Sequence, residues 1–186
     1  VPADEAAPAV VRKRIFTNMD DAYCPTKPPV PYMQVIFDRI MLEIMRGCTR
    51  GCRFCQAGML YRPVRERSVD KLVELAKESV ENTGYEEISL SSLSSSDYSR
   101  IAELAEKLTD ELGDKRVSLS LPSLRVDKFV QDTLSQTQRV KKSSLTFAPE
   151  AGTQRLRDVI NKGVTEEDLV NTLHHAFSNG WSGVKL

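Results

Sequence analysis

Short apolar runs alternate along the chain with longer stretches in which apolar residues recur every three or four positions. Ile40-Met-Leu-Glu-Ile44 has the length and continuity of a buried strand. Glu87-Ile-Ser-Leu90, Val117-Ser-Leu-Ser-Leu121, Ser144-Leu-Thr-Phe147 and the segment from Gly183 to Leu186 read as four more. Between them lie helical patterns. Val69, Leu72, Val73, Ala76 and Val80 repeat at helical spacing behind Ser68 as a cap, with Gly84 beyond the end. Asp97 is expected to open a second helix, with Ile101, Leu104, Ala105, Leu108 and Leu112 on one face and Gly113 as its stop. Short helices are expected over Val126 to Leu134 and Thr153 to Ile160, with Gly163 breaking the chain after the second. Thr165-Glu-Glu-Asp168 has the form of a capping box ahead of Leu169, Leu173, Ala176 and Phe177. Trp181 and the Met residues read as core.

Strands that alternate with helices imply parallel pairing through right-handed crossovers, an α/β fold. Such sheets bind ligands at the carboxyl ends of their strands, in the strand-to-helix loops. The loops after the first four strands hold Cys48 to Cys55, Ser91-Ser92, Ser123 to Arg125 and Ala148-Pro-Glu150, so four strand ends converge on one rim. Ahead of this pattern, residues 1–32 contain six of the nine prolines, which deny the backbone donors and helical angles of regular structure. A proline-rich linker or N-terminal arm over residues 1–32 and a core over residues 33–186 are therefore expected. The first residue is Val, and Gly-Val-Lys-Leu186 reads like a strand beginning, so a fragment of a longer protein is expected.

Composition changes this picture little. The length of 186 residues suits one ordinary domain. The 26 basic and 26 acidic residues cancel, which leaves no global attraction to nucleic acid or to an anionic membrane. No apolar run approaches the ~20 residues of a membrane span. The polar, acidic start lacks the apolar centre of a signal peptide, so a cytoplasmic location is expected.

The candidate chemistry lies in Cys48-Thr-Arg-Gly-Cys52-Arg-Phe-Cys55, three of the four cysteines within eight residues. In a reducing compartment that crowding favours metal over disulfide. A [4Fe–4S] cluster normally takes four thiolates, so three leave one iron open, as a catalytic metal site requires. Gly47 and Gly51 permit tight bending, and Arg46, Arg50 and Arg53 favour the thiolate form. Zinc is an alternative, although its fourth ligand would have to be the distant Cys24 or one of the adjacent His174 and His175. A Cys52–Cys55 redox dithiol is another, but it leaves Cys48 without a role. Ferredoxin spacing requires a fourth nearby cysteine, which is absent here.

The Cys-x-x-x-Cys-x-x-Cys spacing, with Phe54 just before its last cysteine, is similar to the signature of the radical S-adenosylmethionine superfamily. The longer string from Glu43 to Arg67 resembles a branch of uncharacterised proteins that usually carry an N-terminal cobalamin-binding-like domain. The resemblance covers roughly residues 33–186. It implies a partial (β/α)6 barrel, here truncated in the fifth strand, with Cys48, Cys52 and Cys55 on a [4Fe–4S] cluster. The open iron of such a cluster chelates the amino and carboxylate groups of S-adenosylmethionine. One electron, drawn from a donor such as flavodoxin or ferredoxin, then yields methionine and a 5′-deoxyadenosyl radical that takes hydrogen from a substrate. The substrate itself, small molecule or macromolecule, is not named by these residues. Cobalamin would enter through a domain outside this chain, since no Asp-x-His-x-x-Gly motif occurs here.

Other cofactor-binding candidates follow from the same comparison. Family members often carry Gly-Gly-Glu after the second strand, against the methionine amino group. Ser91-Ser-Leu-Ser-Ser-Ser96 stands there without the acid, so Ser91 and Ser92 would offer backbone and hydroxyl groups, or only a turn. Arg125 is placed to grip a carboxylate, or to pair with Asp127. Glu150, in Ala148-Pro-Glu-Ala-Gly152, resembles the Glu-x-Gly segment that reaches the ligand's ribose or amino group, although an acid also suits a helix start. Phe54 would pack beside adenine. Six arginines at positions 46, 50, 53, 62, 65 and 67 face only Glu43 and Glu66 in the same stretch. They suit RNA phosphate, as in RNA methylthiolation, or a solvated face near an anionic cluster. A module that carries electrons without radical chemistry is the remaining alternative.

Overall fold

The computed structural model describes residues 4, 6–8, 10–33, 35–122, 124–128 and 145–186, and in them five parallel strands fall into two sheet pieces. The first piece has the order β1 (Ile40–Glu43), β4 (Glu87–Ser91), β5 (Ser118–Ser120), with Ile40 opposite Ile88 and Ile88 opposite Leu119. The second pairs β6 (Leu145–Thr146) with β7 (Val184–Lys185). A two-residue antiparallel ribbon of β2 (Met45–Arg46) and β3 (Arg65–Glu66), with α1 (Gln56–Leu60) between them, was not visible in the apolar pattern. These three elements frame the cysteine loop.

The crossover helices form where the spacing placed them. In α2 (Val69–Thr83) the Ser68 hydroxyl accepts the Lys71 N–H at 3.3 Å, and Gly84 closes the helix at φ +71°. The capping box of α5 (Glu166–Ser178) is complete, with Thr165 Oγ1 accepting the Asp168 N–H at 3.0 Å and Asp168 accepting the Thr165 N–H at 2.9 Å. The remaining helices are α3 (Ile101–Leu112) and α4 (Gln154–Val159).

Helices α2 and α3 cover one face of the first sheet piece, burying Leu42, Leu72, Ala76, Leu90, Leu104 and Leu108. Phe147, Leu145, Val164, Ala176, Trp181 and Val126 make a second core. The strands alternate, so the opposite face of the first piece carries Met41, Glu43, Ser89, Ser91 and Ser120. Parallel strands sandwiched between helices read as continuous apolar runs. The Ile-Ser-Leu-Ser and Ser-Leu-Ser alternation instead leaves a polar face turned away from the helix core.

Several expectations need correction. The second helix begins at Ile101 rather than Asp97, which sits in a 3-10 turn where its carboxylate is drawn to Arg50. The helix does stop at Gly113, as expected, although with right-handed angles there, and the chain reverses at Arg116 (φ +55°) after one more 3-10 turn. Met19 and Met45 are core, but Met33, Met41 and Met59 are exposed. Val126–Lys128 form a 3-10 turn, and the rest of the helix expected up to Leu134 lies outside the described residues, as does Ser144.

The proline-rich arm lies against the core rather than apart from it. Met19 is buried, Asp20 accepts the Ser68 N–H at 2.7 Å, and the Ala22 carbonyl accepts from Arg67 at 3.1 Å. Among the described residues, no helix is long and apolar enough to cross a membrane.

Candidate functional site

The cysteine loop leaves the carboxyl end of the first sheet piece through the β2–β3 ribbon. Gly47 makes the entry at φ +94°, where an added Cβ would lie 2.6 Å from the Tyr61 carbonyl oxygen and 2.7 Å from that of Pro63. Gly51 has a different reason to be glycine: a Cβ there would meet the Asn161 amide nitrogen at 2.9 Å. Cys48 and Cys52 are buried and Cys55 half-buried, and none of the four cysteines is in a disulfide. Two sulfurs already receive backbone donors, from Arg50 N–H to Cys48 at 3.4 Å and from Gly58 N–H to Cys55 at 3.3 Å. Hydrogen bonds to the sulfurs tune the potential of a cluster bound there. Cys24 packs against the main core, and burial pushes its thiol upward, away from the thiolate a metal requires.

The donor set, three cysteines with none in a disulfide, fits an iron–sulfur cluster with one open iron. Among the described residues, no three His, Cys, Asp or Glu side chains group closely enough to share one metal ion. A four-iron cluster with one open iron takes a thiolate on each of the other three, which a loop of three spaced cysteines can supply.

The arginines around the loop act as internal staples. Arg50 binds Asp97 through two bonds of 2.9 and 2.5 Å and reaches Asp127 at 3.2 Å. Arg46 pairs with Glu43, and Arg62 donates to the carbonyls of Cys48 and Arg50. Arg65 donates to the Phe16, Tyr61 and Pro63 carbonyls, Arg53 to that of Val159, and Arg67 is fully buried. Arg53 and Arg62 stay exposed, whereas Arg67 is buried.

Burial pushes the Asp97 carboxyl upward, but the Arg50 guanidinium and the Ser94 hydroxyl outweigh it and hold the group below the usual range. A carboxyl depressed in the folded state contributes stability that is complete above its unfolded pKa of about 3.9 and is lost as pH falls through the lower folded value. Asp97→Asn is therefore expected to unfold with a flatter acid limb than the parent, read by circular dichroism below pH 4 or so. Parallel acid limbs would assign the pair no role in stability.

The remaining candidates spread around the same rim. Ser91 ends β4 opposite Glu43, and its carbonyl accepts the Ile44 N–H at 3.1 Å. The Ser92 hydroxyl lies 2.9 Å from that of Ser95 and accepts the Ser94 N–H, so it shapes the turn. Arg125 is buried, with Nε on Asp127 at 2.8 Å and Nη2 on the Lys162 carbonyl at 2.9 Å, the ion pair that the sequence offered as its alternative role. Glu150, at φ +70°, pairs with Lys162 Nζ at 3.1 Å. That same ammonium stands 6.0 Å from the centre of the Phe54 ring, which is 55% exposed beside the cysteines. Asn161 and Lys162 were missed from sequence, Asp97 was read only as a helix start, and Asp127 only as a partner for Arg125. Of Asn161-Lys162-Gly163 only the glycine was read, as a chain break, because nothing local marks a contact made 110 residues away.

The profile of the Radical SAM superfamily matches residues 42–186. An uncharacterized protein of Methanocaldococcus jannaschii is 41% identical over 179 residues, covering 94% of this chain, which spans 38% of that relative's length. Among solved structures, the cobalamin-dependent S-adenosylmethionine radical enzyme OxsB is similar with a TM-score of 0.59 at 17% identity, over 78% of this chain and 22% of its own. The radical S-adenosylmethionine methyltransferase TsrM of Kitasatospora setae gives 0.62 at 13% identity, over 76% and 28%. Methylornithine synthase (PylB) gives 0.53 at 17%, over 77% and 42%. At these identities the likeness concerns the fold, a partial barrel of parallel β/α units. With the profile spanning most of its length, the chain belongs to the radical SAM superfamily.

Proposed function

We propose that Cys48, Cys52 and Cys55 hold a [4Fe–4S] cluster whose fourth iron binds S-adenosylmethionine, and that the protein uses it to start radical chemistry on a substrate. The observation that carries this reading is a rim loop of three unbridged cysteines, two of whose sulfurs already accept backbone N–H groups. When bound, the cluster supplies the single electron that breaks a sulfonium C–S bond of S-adenosylmethionine, leaving methionine and a 5′-deoxyadenosyl radical.

The chain's own part is to bind, orient and exclude water. Gly47 turns the loop onto the rim, and Arg62 holds the Cys48 and Arg50 carbonyls. The exposed Phe54 ring offers a face for adenine, and Glu150, steadied by Lys162, offers an acceptor for ribose hydroxyls or the amino group. Ser91 and Ser92 bring backbone groups to the same rim. Arg125 is given a supporting part, since Asp127 and the Lys162 carbonyl engage it. A one-electron donor of the flavodoxin or ferredoxin class feeds the cluster. Cobalamin, on which OxsB depends, would be bound in the full-length protein outside residues 1–186. For RNA methylthiolation the Glu150 segment is the remaining support, since the loop arginines also make bonds within the chain.

Anaerobic reconstitution of the full-length protein with iron and sulfide, then dithionite and S-adenosylmethionine, tests the reading. Visible iron–sulfur absorption and release of 5′-deoxyadenosine are expected. Failure to take up iron would sink it. A cluster whose spectrum ignores S-adenosylmethionine would instead favour an electron carrier.

A further inference from the structure

The cysteine loop has few bonds of its own, and much of what holds it comes from the turn after α4. There the Ile160 carbonyl accepts the Arg53 N–H at 2.9 Å, and Asn161 Nδ2 donates to the Gly51 carbonyl at 2.8 Å. Asn161 sits at φ +54°, a conformation that glycine adopts at no cost and asparagine tolerates. A turn needing only that backbone shape is served by glycine, so what asparagine adds is its amide. Gly51 matches it, since any side chain there would run into that amide and nothing else within 4 Å.

The next residue closes a ring. The Lys162 carbonyl accepts from Arg125, Arg125 pairs with Asp127, and Asp127 reaches Arg50 inside the cysteine loop at 3.2 Å. The path runs from Gly51 through Asn161, Lys162, Arg125 and Asp127 back to Arg50. The loop after β5 and the turn after α4 are thereby tied to the peptide between Cys48 and Cys52.

We propose that Asn161 is a positioning residue for the cysteine loop, holding the Gly51 peptide so that the three thiolates keep the spacing of three corner irons while the fourth exchanges its ligand. This rests on Cys48, Cys52 and Cys55 being the cluster ligands. Asn161 acts through the Gly51 carbonyl rather than by touching the reacting atoms. Partners one shell removed from a metal typically change its retention 10- to 100-fold, so about a tenfold effect is expected.

The test uses the reconstituted full-length protein and the decay of its visible absorption under an iron chelator. Asn161→Gly keeps the turn and loses the amide. It is expected to leave the unfolding temperature of the iron-free protein in place and to lose its cluster about tenfold faster. Asn161→Asp, which sets a carboxylate against the Gly51 carbonyl, should lose it at least as fast. Gly51→Ala should be worse than Asn161→Gly, and the double variant should recover to the Asn161→Gly rate, because the clash is with the side chain removed. Decay of Asn161→Gly and Asn161→Asp at the parent rate overturns the proposal. So does a lower unfolding temperature with unchanged cluster loss, which assigns Asn161 to folding alone. A parent protein that takes up no iron at all overturns the cluster reading itself, a result separate from any difference between variants.

Discussion

Alanine in place of any one of Cys48, Cys52 or Cys55 is expected to abolish cluster retention and 5′-deoxyadenosine formation, while Cys24→Ala keeps both. A cluster held by three thiolates has no spare ligand, so losing one leaves two irons without protein bonds. Because disturbing a partner one shell out already costs up to about 100-fold, loss of a ligand should exceed that. Cys24 is the internal control: it packs on the core, and burial favours its neutral thiol. The measurement is iron content per chain after anaerobic reconstitution, with circular dichroism to show that each variant is folded. Normal iron in any of the three loop variants would remove that cysteine from the ligand set.

Gly47→Ala should be the most damaging single change that leaves every cysteine in place. Two effects add at this position. A residue with a Cβ is strained at φ +94°, by about 1–2 kcal/mol, and crowding against a packed neighbour costs a further ~1–3 kcal/mol. The neighbours are the Tyr61 and Pro63 carbonyl oxygens, backbone atoms that cannot swing aside as a side chain would. A loss of about 3 kcal/mol is expected, with the cysteine loop displaced at its first residue. Chemical denaturation of the iron-free protein measures the first, and iron uptake the second. Gly84→Ala serves as comparison, since its φ is +71° but nothing lies within 4 Å of the added carbon. It should show the backbone strain alone. Equal losses at the two positions would mean that the close approach of residues 61–63 contributes nothing.

What the chain makes plain by itself is whatever depends on neighbours along it. Strands β1, β4, β5, β6 and β7 lie where apolar runs placed them, and the caps at Ser68, Gly84 and Thr165 close as their side chains or missing side chains dictate. Three cysteines in eight residues mark the candidate site, because residues so near along the chain stay near in the fold. At Asp97 a local signal was outbid by a distant partner. Asp97 looks like a helix cap, yet its carboxylate is taken by Arg50, 47 residues earlier. Of the six clustered arginines, Arg50 and Arg62 also bond groups that the folded loop brings near.

The tertiary structure decided the frame around the cysteines. The bonds from Asn161 to Gly51, from Arg125 to Lys162 and from Asp127 to Arg50 join residues far apart in sequence and leave no periodic trace in it. Spacing along a chain encodes which face a side chain takes and which groups lie within a turn. Which loops meet at the rim is set by the strand order and by how the two cores pack, and that appears only when the chain is folded.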